Sequence, residues 1–292
     1  MTTASLPLKP AARPPRVRMW RSVRRHRILY LGGLVLILLA LIALFAPLLT
    51  SVDPLDINPA ARMKPPSADH FFGTDALGRD VYARTIWGTR VSLVVGIAVA
   101  VASTVLGTLL GMMAGYFRRI DAFIMRIMDG LMAIPGVLLA IALMATLKGG
   151  LGTVMIAIIV PEVPRVVRLV RALVLTIREQ PYIEAAVSVG TRVPAILLRH
   201  ILPNLFAPLM VQATFIAASA ILTEAVLSFL GVGIPPQIPS WGNIMAEGRN
   251  FVAIAFHIIL YPGLFLGMTV LAINLVGDGL RDMLDPRLAK KL

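Results

Sequence analysis

The sequence predicts an all-α polytopic membrane protein, and three observations support this fold class. Hydrophobic residues make up 58% of the 292-residue chain and charged residues only 15%, whereas soluble domains are about 45–50% apolar and about 25% charged. Six apolar runs each have roughly the 17–25 residues that a transmembrane helix needs. Basic residues cluster between alternate runs, which is the charge bias of proteins that cross a membrane several times.

The six apolar runs are the predicted transmembrane helices. The fourth is the least secure, because Pro161 and Pro164 lack backbone donors and Glu162 is charged. Inside lipid, such a helix needs neighbours that satisfy the freed backbone groups. The predicted spans are 29–49, 91–116, 131–147, 151–167, 205–230 and 252–276.

The distribution of basic residues predicts the orientation of the spans. Three quarters of the 28 lysines and arginines lie in 1–28, 117–130, 161–204 and 277–292. The positive-inside rule therefore predicts that both chain ends and the 161–204 segment are cytoplasmic. Arg165, Arg168 and Arg171 are expected to set this topology and to contact lipid headgroups. The predicted regions are a basic tail (1–28), a first span with its external loop (29–90), a five-helix core (91–276) that contains a cytoplasmic coupling loop (171–204), and a C-terminal tail (277–292).

Composition also excludes several functions. The formal net charge is +13, which in a soluble protein would suggest nucleic-acid binding. Here the charges alternate with apolar runs, so membrane lipid is the expected partner and nucleic acid is not. The chain has no cysteine, which excludes disulfides, thiol catalysis and thiolate metal sites.

Small residues recur every fourth position in the second span. This spacing places them on one face of a helix, where a second helix can approach closely. The alternative is that this face lines a translocation path. The residues are Ser103, Gly107, Gly111 and Gly115, and Gly263 with Gly267 repeats the pattern more weakly in the last span.

Glu224 is the acid that the span assignment places deepest in the membrane. A carboxylate near the bilayer centre costs about 2.5–3.5 kcal/mol on insertion scales. Two interpretations remain open, a residue that lines or gates a pathway and a buried acid that is hydrogen-bonded to a neighbouring span.

The cytoplasmic loop contains the pattern of a short helix, a break and a second helix. Pro181 suits a first helical turn, alanines make a flat helical face, and Gly190 can end the helix in a left-handed conformation. A second helix is predicted over 195–202 and closed by Pro203. Because so small a unit has little core, it is expected to dock on a partner protein, and the alternative is a hairpin on the membrane surface.

This loop resembles the Glu-Ala-Ala loop of the membrane subunits of bacterial ATP-binding-cassette importers. It departs at His200, where the family pattern has isoleucine, although Arg-His-Ile-Leu-Pro-Asn at 199–204 is typical of the peptide-transporter branch. No nucleophile or second acid adjoins His200 in sequence, so a catalytic base is not predicted. The matching residues are Glu184, Ala185, Ala186, Gly190, Leu202 and Pro203. Further stretches similar to C-type permeases of dipeptide and oligopeptide importers are 72–80, 224–231, 239–242 and 274–287.

The resemblance implies a role as the permease of an assembly in the bacterial inner membrane. Its expected partners are a second homologous permease, two ATP-binding subunits and an external substrate-binding protein. The chain lacks a phosphate loop of the form Gly-x4-Gly-Lys-Ser/Thr. Accordingly it is expected to bind no cofactor and to have no enzymatic activity, with ATP and magnesium held by the partner subunits.

Several alternatives stay open at this point. Peptides are the expected cargo, but nickel complexes, glutathione or another small solute fit the same branch. A secondary transporter driven by an ion gradient is the second functional class, although it calls for internal repeats and ionisable residues near the midplane. The loop at 73–80 is expected to be a scaffold, and the alternative is a contact surface for the binding protein.

Overall fold

The computed structural model describes residues 27–147 and 149–284, and every named element in these ranges is helical. Most of the predicted tail 1–28 and residues 285–292 of the C-terminal tail lie outside the described residues. The α-helices are α1 (Arg27–Leu44), α2 (Ala46–Leu49), α3 (Val81–Tyr116), α4 (Arg118–Ala133), α5 (Gly136–Thr146), α6 (Leu151–Arg178), α7 (Pro181–Ser188), α8 (Val193–Ala195), α9 (Leu202–Phe229), α10 (Trp241–Gly248) and α11 (His257–Leu284), with 3₁₀ turns at Pro59–Ala61 and Arg249–Phe251 and a π-helical turn at Ile196–Ile201.

The all-helical membrane class is confirmed, but the spans are less uniform than predicted. Three continuous stretches of the described chain are long and apolar enough to cross a bilayer, namely Val81–Tyr116, Val193–Phe229 and His257–Leu284. The bent pair α4 and α5 makes a fourth if it is counted as one span, and α1 is apolar but shorter. α6 has 28 residues, enough in length, but its arginines and Glu162 lower its apolar character.

The predicted third span, 131–147, is wrong as a continuous helix. The chain bends by 92° between α4 and α5. Ile134 is extended, with φ −98° and ψ 130°, because the ring of Pro135 disfavours the helical region for the residue before it. As a result α4 is a separate amphipathic helix, and α5 has only 11 residues.

Three other helix boundaries differ from the prediction. α3 begins at Val81, where the Asp80 carboxylate caps it by accepting a 2.8 Å hydrogen bond from the backbone N–H of Ala83. α6 continues past both of its prolines as far as Arg178. α11 begins at His257 rather than at residue 252 and extends to Leu284, so the first part of the predicted C-terminal tail is helical.

The main core lies between α3, α6 and α9. Buried aliphatic side chains from all three helices meet there, including Val95, Val170 and Ile216. α11 packs against α1 and α9, and Trp241 at the start of α10 is buried beside it. This arrangement leaves α7 and α8 at the end of the bundle where α6 ends and α9 begins.

Candidate functional site

Helix α7 is attached to the bundle by very little of its own surface. Ile183 is its one buried side chain, and it joins the main core. Glu184 and Ala185 are exposed and Ala186 is partly exposed. Beyond the helix, Val189 is 86% exposed. The segment therefore presents an acid, two alanines and an apolar side chain to the outside of the chain.

Gly190 ends α7 by a specific backbone geometry. Its φ is +82°, a left-handed conformation that costs other residues about 1–2 kcal/mol. Its N–H donates to the Val187 carbonyl at 2.9 Å, and the N–H of Thr191 donates to the Ala186 carbonyl at 3.0 Å. These two bonds form a Schellman motif. A Cβ at Gly190 would meet no atom of the described chain within 4 Å, so the constraint is conformational and not steric.

The prediction of a separate second helix closed by Pro203 is wrong. The chain passes from α8 through the π-helical turn directly into α9. The N–H of Leu202 donates to the carbonyl of Leu197, five residues back, and Pro203 lies in the first turn of α9, where its missing N–H is tolerated. The Asn204 side chain donates to the His200 carbonyl at 2.6 Å. Leu202 and Pro203 thus lie within one continuous helical stretch, Val193–Phe229.

The small residues of α3 lie against one side of α6. A Cβ at Gly111 would be 2.6 Å from the Cβ of Val170, and one at Gly115 would be 2.7 Å from the Cβ of Val174. Gly107 meets Val166 in the same way, and Ser103 is fully buried in the same helix. The two helices run parallel in close contact. By contrast, Gly267 of the weaker pattern has no atom of the described chain near its Cβ direction.

Glu224 is fully buried near the C-terminal end of α9. Its Oε1 accepts hydrogen bonds from the hydroxyls of Ser228 and Ser240, both at 2.8 Å, while Oε2 has no partner in the described chain. Ser240 also caps α10 through a reciprocal pair of bonds with Asn243. The carboxylate therefore ties the end of α9 to the start of α10, and in this conformation it faces no open cavity.

The loop between α2 and α3 is held by a network of ion pairs. Asp75 accepts hydrogen bonds from Arg79 at 2.7 Å and from Arg84 at 2.6 Å, and both arginines also donate to Glu247 of α10 at 2.5 Å. Asp80 contacts His70 at 2.9 Å. The local pairing of Asp75 with Arg79 was predictable from their spacing. The roles of Arg84 and Glu247 were not, because 163 positions separate them.

Three arginines of α6 have protein partners in addition to the topological and lipid-headgroup role predicted for them. Arg168 donates to Asp129 at 2.6 Å and Arg171 to Asp121 at 2.5 Å, both on α4. Arg165 pairs with Glu162 on its own helix. No group of three His, Cys, Asp or Glu side chains could hold a metal ion within 27–147 and 149–284.

The chain is similar to known transport proteins over nearly its whole length. Residues 107–290 match the family described as binding-protein-dependent transport system inner membrane component, and residues 15–66 match the N-terminal transmembrane domain of oligopeptide transport permease C. A solved structure of the MetNI methionine ABC transporter, described as inward-facing, aligns with a TM-score of 0.55 at 18% identity, covering 65% of this chain and 91% of that chain. This last likeness concerns the fold alone.

Three curated relatives show closer sequence similarity. A probable peptide ABC transporter permease protein, y4tQ of Sinorhizobium fredii, is 56% identical over 95% of this chain and 96% of its own length. The dipeptide transport system permease protein DppC of Alkalihalophilus pseudofirmus is 41% identical over 92% and 89%. The glutathione transport system permease protein GsiD of Pectobacterium atrosepticum is 40% identical over 95% and 93%. With its all-helical fold and these matches, the chain belongs to the binding-protein-dependent inner membrane components, the permease subunits of ATP-binding-cassette importers.

Proposed function

We propose that this permease forms half of the translocation pathway of an ATP-driven peptide importer and docks its ATPase through α7 and Gly190. One observation carries the docking assignment: α7 buries only Ile183 and leaves Glu184 and Ala185 exposed. A short helix outside the bilayer with so little core gains stability by burying its free face on a partner.

The proposed assembly has two permeases, two ATP-binding subunits and an external binding protein. ATP and magnesium belong to the ATP-binding subunits, and this chain hydrolyses nothing. The charge bias of the loops supports a cytoplasmic location for both chain ends and for the 171–204 coupling loop. Residues 161–170, which the sequence alone assigned to the same side, pack against α3 inside the bundle. α8, the π-helical turn and α9 form one continuous stretch, Val193–Phe229, so a displacement of α7 by the ATPases reaches a membrane helix across only the short turn at 189–192.

Peptides are the proposed cargo, on the strength of the relatives whose names specify peptide or dipeptide transport. The relatives named for glutathione transport make that tripeptide the second candidate. Uptake in proteoliposomes that contain the complete complex and its binding protein distinguishes them, with labelled dipeptide and labelled glutathione in competition. Uptake that needs an ion gradient and no ATP would instead identify a secondary transporter.

The docking assignment is tested by Gly190→Val and Glu184→Lys. Valine disfavours φ +82°, and lysine reverses an exposed charge, so both variants should insert normally but lose the ATPase or its coupling to uptake. Gly190→Asn is the matched control, because asparagine tolerates the left-handed region. The measurements are ATPase co-purification and uptake per ATP hydrolysed. Normal values in both variants would contradict the proposal.

A further inference from the structure

An ion pair on α6 lies in a part of the chain that neither the coupling role nor the external network uses. Arg165 donates through Nη1 to both carboxylate oxygens of Glu162, at 3.1 and 3.2 Å, and the Ser219 hydroxyl of α9 donates to the same carboxylate at 3.0 Å. Glu162 is buried at 5% exposure. The Arg165 side chain is 55% exposed, and its Nε and Nη2 have no partner in the described chain.

The neighbouring helix α3 gives the depth of this pair in the membrane. Gly107 lies opposite Val163 and Val166 of α6, which directly follow Glu162 and Arg165 in sequence. From Gly107 to the end of α3 at Tyr116 is about 13 Å at 1.5 Å per residue. The hydrocarbon core of a bilayer is about 30 Å thick. Since the apolar part of α3 ends near Tyr116, Glu162 and Arg165 lie close to the bilayer midplane.

Two observations indicate that this face of α6 does not contact lipid. A half-exposed arginine at the midplane is costly in hydrocarbon and is found facing a water-filled cavity or other protein. The bend between α4 and α5 lies beside it, with a Cβ at Gly136 only 3.3 Å from Pro161. Residues 133–135 of this bend are exposed, and irregular backbone at this depth is tolerated only where it lines a cavity or is covered by protein.

We propose that Glu162 and Arg165 form a site in the translocation path for solutes that carry a free ammonium and a free carboxylate. Glu162, oriented by Ser219, takes the ammonium, and Arg165 takes the carboxylate through its free guanidinium N–H groups, which suit two-point binding of a carboxylate. This inference rests on the proposed import of peptides, whose unmodified ends carry these two charges.

An exchange of ionic partners explains how the two charged ends of the solute can pass the bilayer midplane. In the empty site, Glu162 and Arg165 neutralise each other. In the loaded site, each is neutralised by one end of the solute, so no uncompensated charge is left in a low-dielectric region in either state.

Accessibility to water is the first test, and the absence of cysteine in the chain makes labelling simple. Arg165→Cys and Val105→Cys are compared in the assembled complex with a membrane-impermeant thiol reagent, and modification of this chain is read by mass spectrometry. Val105 has a similar depth on α3 and is 52% exposed, but it is apolar. We expect labelling at 165 at least about tenfold faster than at 105. If labelling at 165 is absent, or no faster than at 105, in every nucleotide state, the site is not accessible to water and the proposal is overturned.

Selectivity for the two ends of the solute is the second test. Uptake of a dipeptide, its C-amide and its N-acetyl form is measured in proteoliposomes at saturating loaded binding protein, which removes differences in delivery. Arg165→Gln should lower uptake of the free dipeptide about tenfold, the loss expected for a charged hydrogen bond, and leave the C-amide nearly unchanged. Glu162→Gln should likewise lower uptake of the free dipeptide about tenfold and leave uptake of the N-acetyl form nearly unchanged. Arg168→Gln, whose partner is Asp129, is the matched control.

The possible outcomes distinguish a failure of this site from a failure of the proposed function. An unaltered complex that imports no peptide would overturn the cargo assignment, and the ligand of this site with it. Peptide import by the unaltered complex, with equal losses for free and blocked dipeptides in the variants, would overturn only the site and indicate a structural pair. Loss of the second permease from purified Arg165→Gln complexes would assign the arginine to the subunit interface instead.

Discussion

At the end of the bundle that is proposed to be external, charged side chains from the α2–α3 loop, α3 and α10 meet in a cluster, whereas at the end proposed to be cytoplasmic α7 buries only Ile183. In the external cluster Arg84 is fully buried and Asp75 is 1% exposed. On the cytoplasmic side Val189 is 86% exposed. The comparison teaches that the charged groups of the first end find their partners within the chain, while the second end leaves most of the surface of α7 exposed. That exposed surface is the one proposed above to bind the ATPase.

The largest effect is expected from Arg84→Leu, which removes the central cation of the external cluster. The buried Asp75 and the partly exposed Glu247 then lose a shared partner, and breaking a buried network costs about 3–5 kcal/mol. Thermal unfolding of the purified protein in detergent measures this loss. Arg90→Leu is the control, because Arg90 lies outside the network and over the Trp87 ring at 5.2 Å. Equal unfolding temperatures of the two variants would contradict the conclusion that this ion cluster stabilises one end of the chain.

Glu224→Ala tests whether the external end is also anchored from within the membrane. The substitution leaves the Ser228 and Ser240 hydroxyls without their acceptor, at a cost of about 2–3 kcal/mol. Proteolysis of the 231–256 loop and thermal unfolding should both detect the change, and Glu224→Gln, which keeps an acceptor oxygen, should be milder. A variant with unchanged stability that no longer supports transport would instead favour a pathway or gating role.

Gly111→Val tests the close packing of α3 against α6, which lies in the middle of the molecule between the two ends. The new side chain would collide with Val170, and overpacking of this kind costs about 1–3 kcal/mol. Val170→Ala in the same chain should recover part of the loss. The same substitution at Gly267, which has free space in the described chain, should leave the unfolding temperature almost unchanged. An equal effect at both glycines would contradict the close packing of α3 and α6.

Val189→Ser should have the smallest effect on stability, below about 0.5 kcal/mol, as is usual for an exposed site. We nevertheless expect weaker binding of the ATPase, because an exposed apolar side chain is lost from the docking surface. Ile183→Ser should instead lower stability, because it replaces the buried side chain through which α7 contacts the core. Both variants are measured by unfolding curves and by titration with the ATPase. A Val189→Ser variant that loses stability but binds the ATPase normally would disprove the assignment.

Local features of the site were predictable from the sequence because they depend on neighbouring residues. The left-handed end of α7 at Gly190 follows from glycine after a helical stretch, and the close approach at Gly107 and Gly111 follows from their spacing. The bend before α5 had a local signal as well, since Pro135 restricts Ile134. It was missed because hydropathy alone joins 131–147 into one apolar run.

Continuity of the coupling segment with α9 was harder to predict. Pro203 reads as a helix terminator, yet a proline is equally suited to the first turn of a following helix. The π-helical turn before it decided between these readings, and its backbone bonds depend on how α9 is anchored by buried residues such as Leu205. No pattern within 193–203 contains that information.

The sequence by itself determined the membrane class, the order of the apolar helices and the family of the coupling loop, because hydropathy, charge and short motifs act through residues close together in the chain. Only the tertiary structure decided which polar and charged groups from distant parts of the sequence meet. Arg84 finds Glu247, and Glu162 finds Ser219, because helices distant in sequence pack side by side. A buried charge must find a partner wherever the fold supplies one, and the identity of that partner is a property of packing.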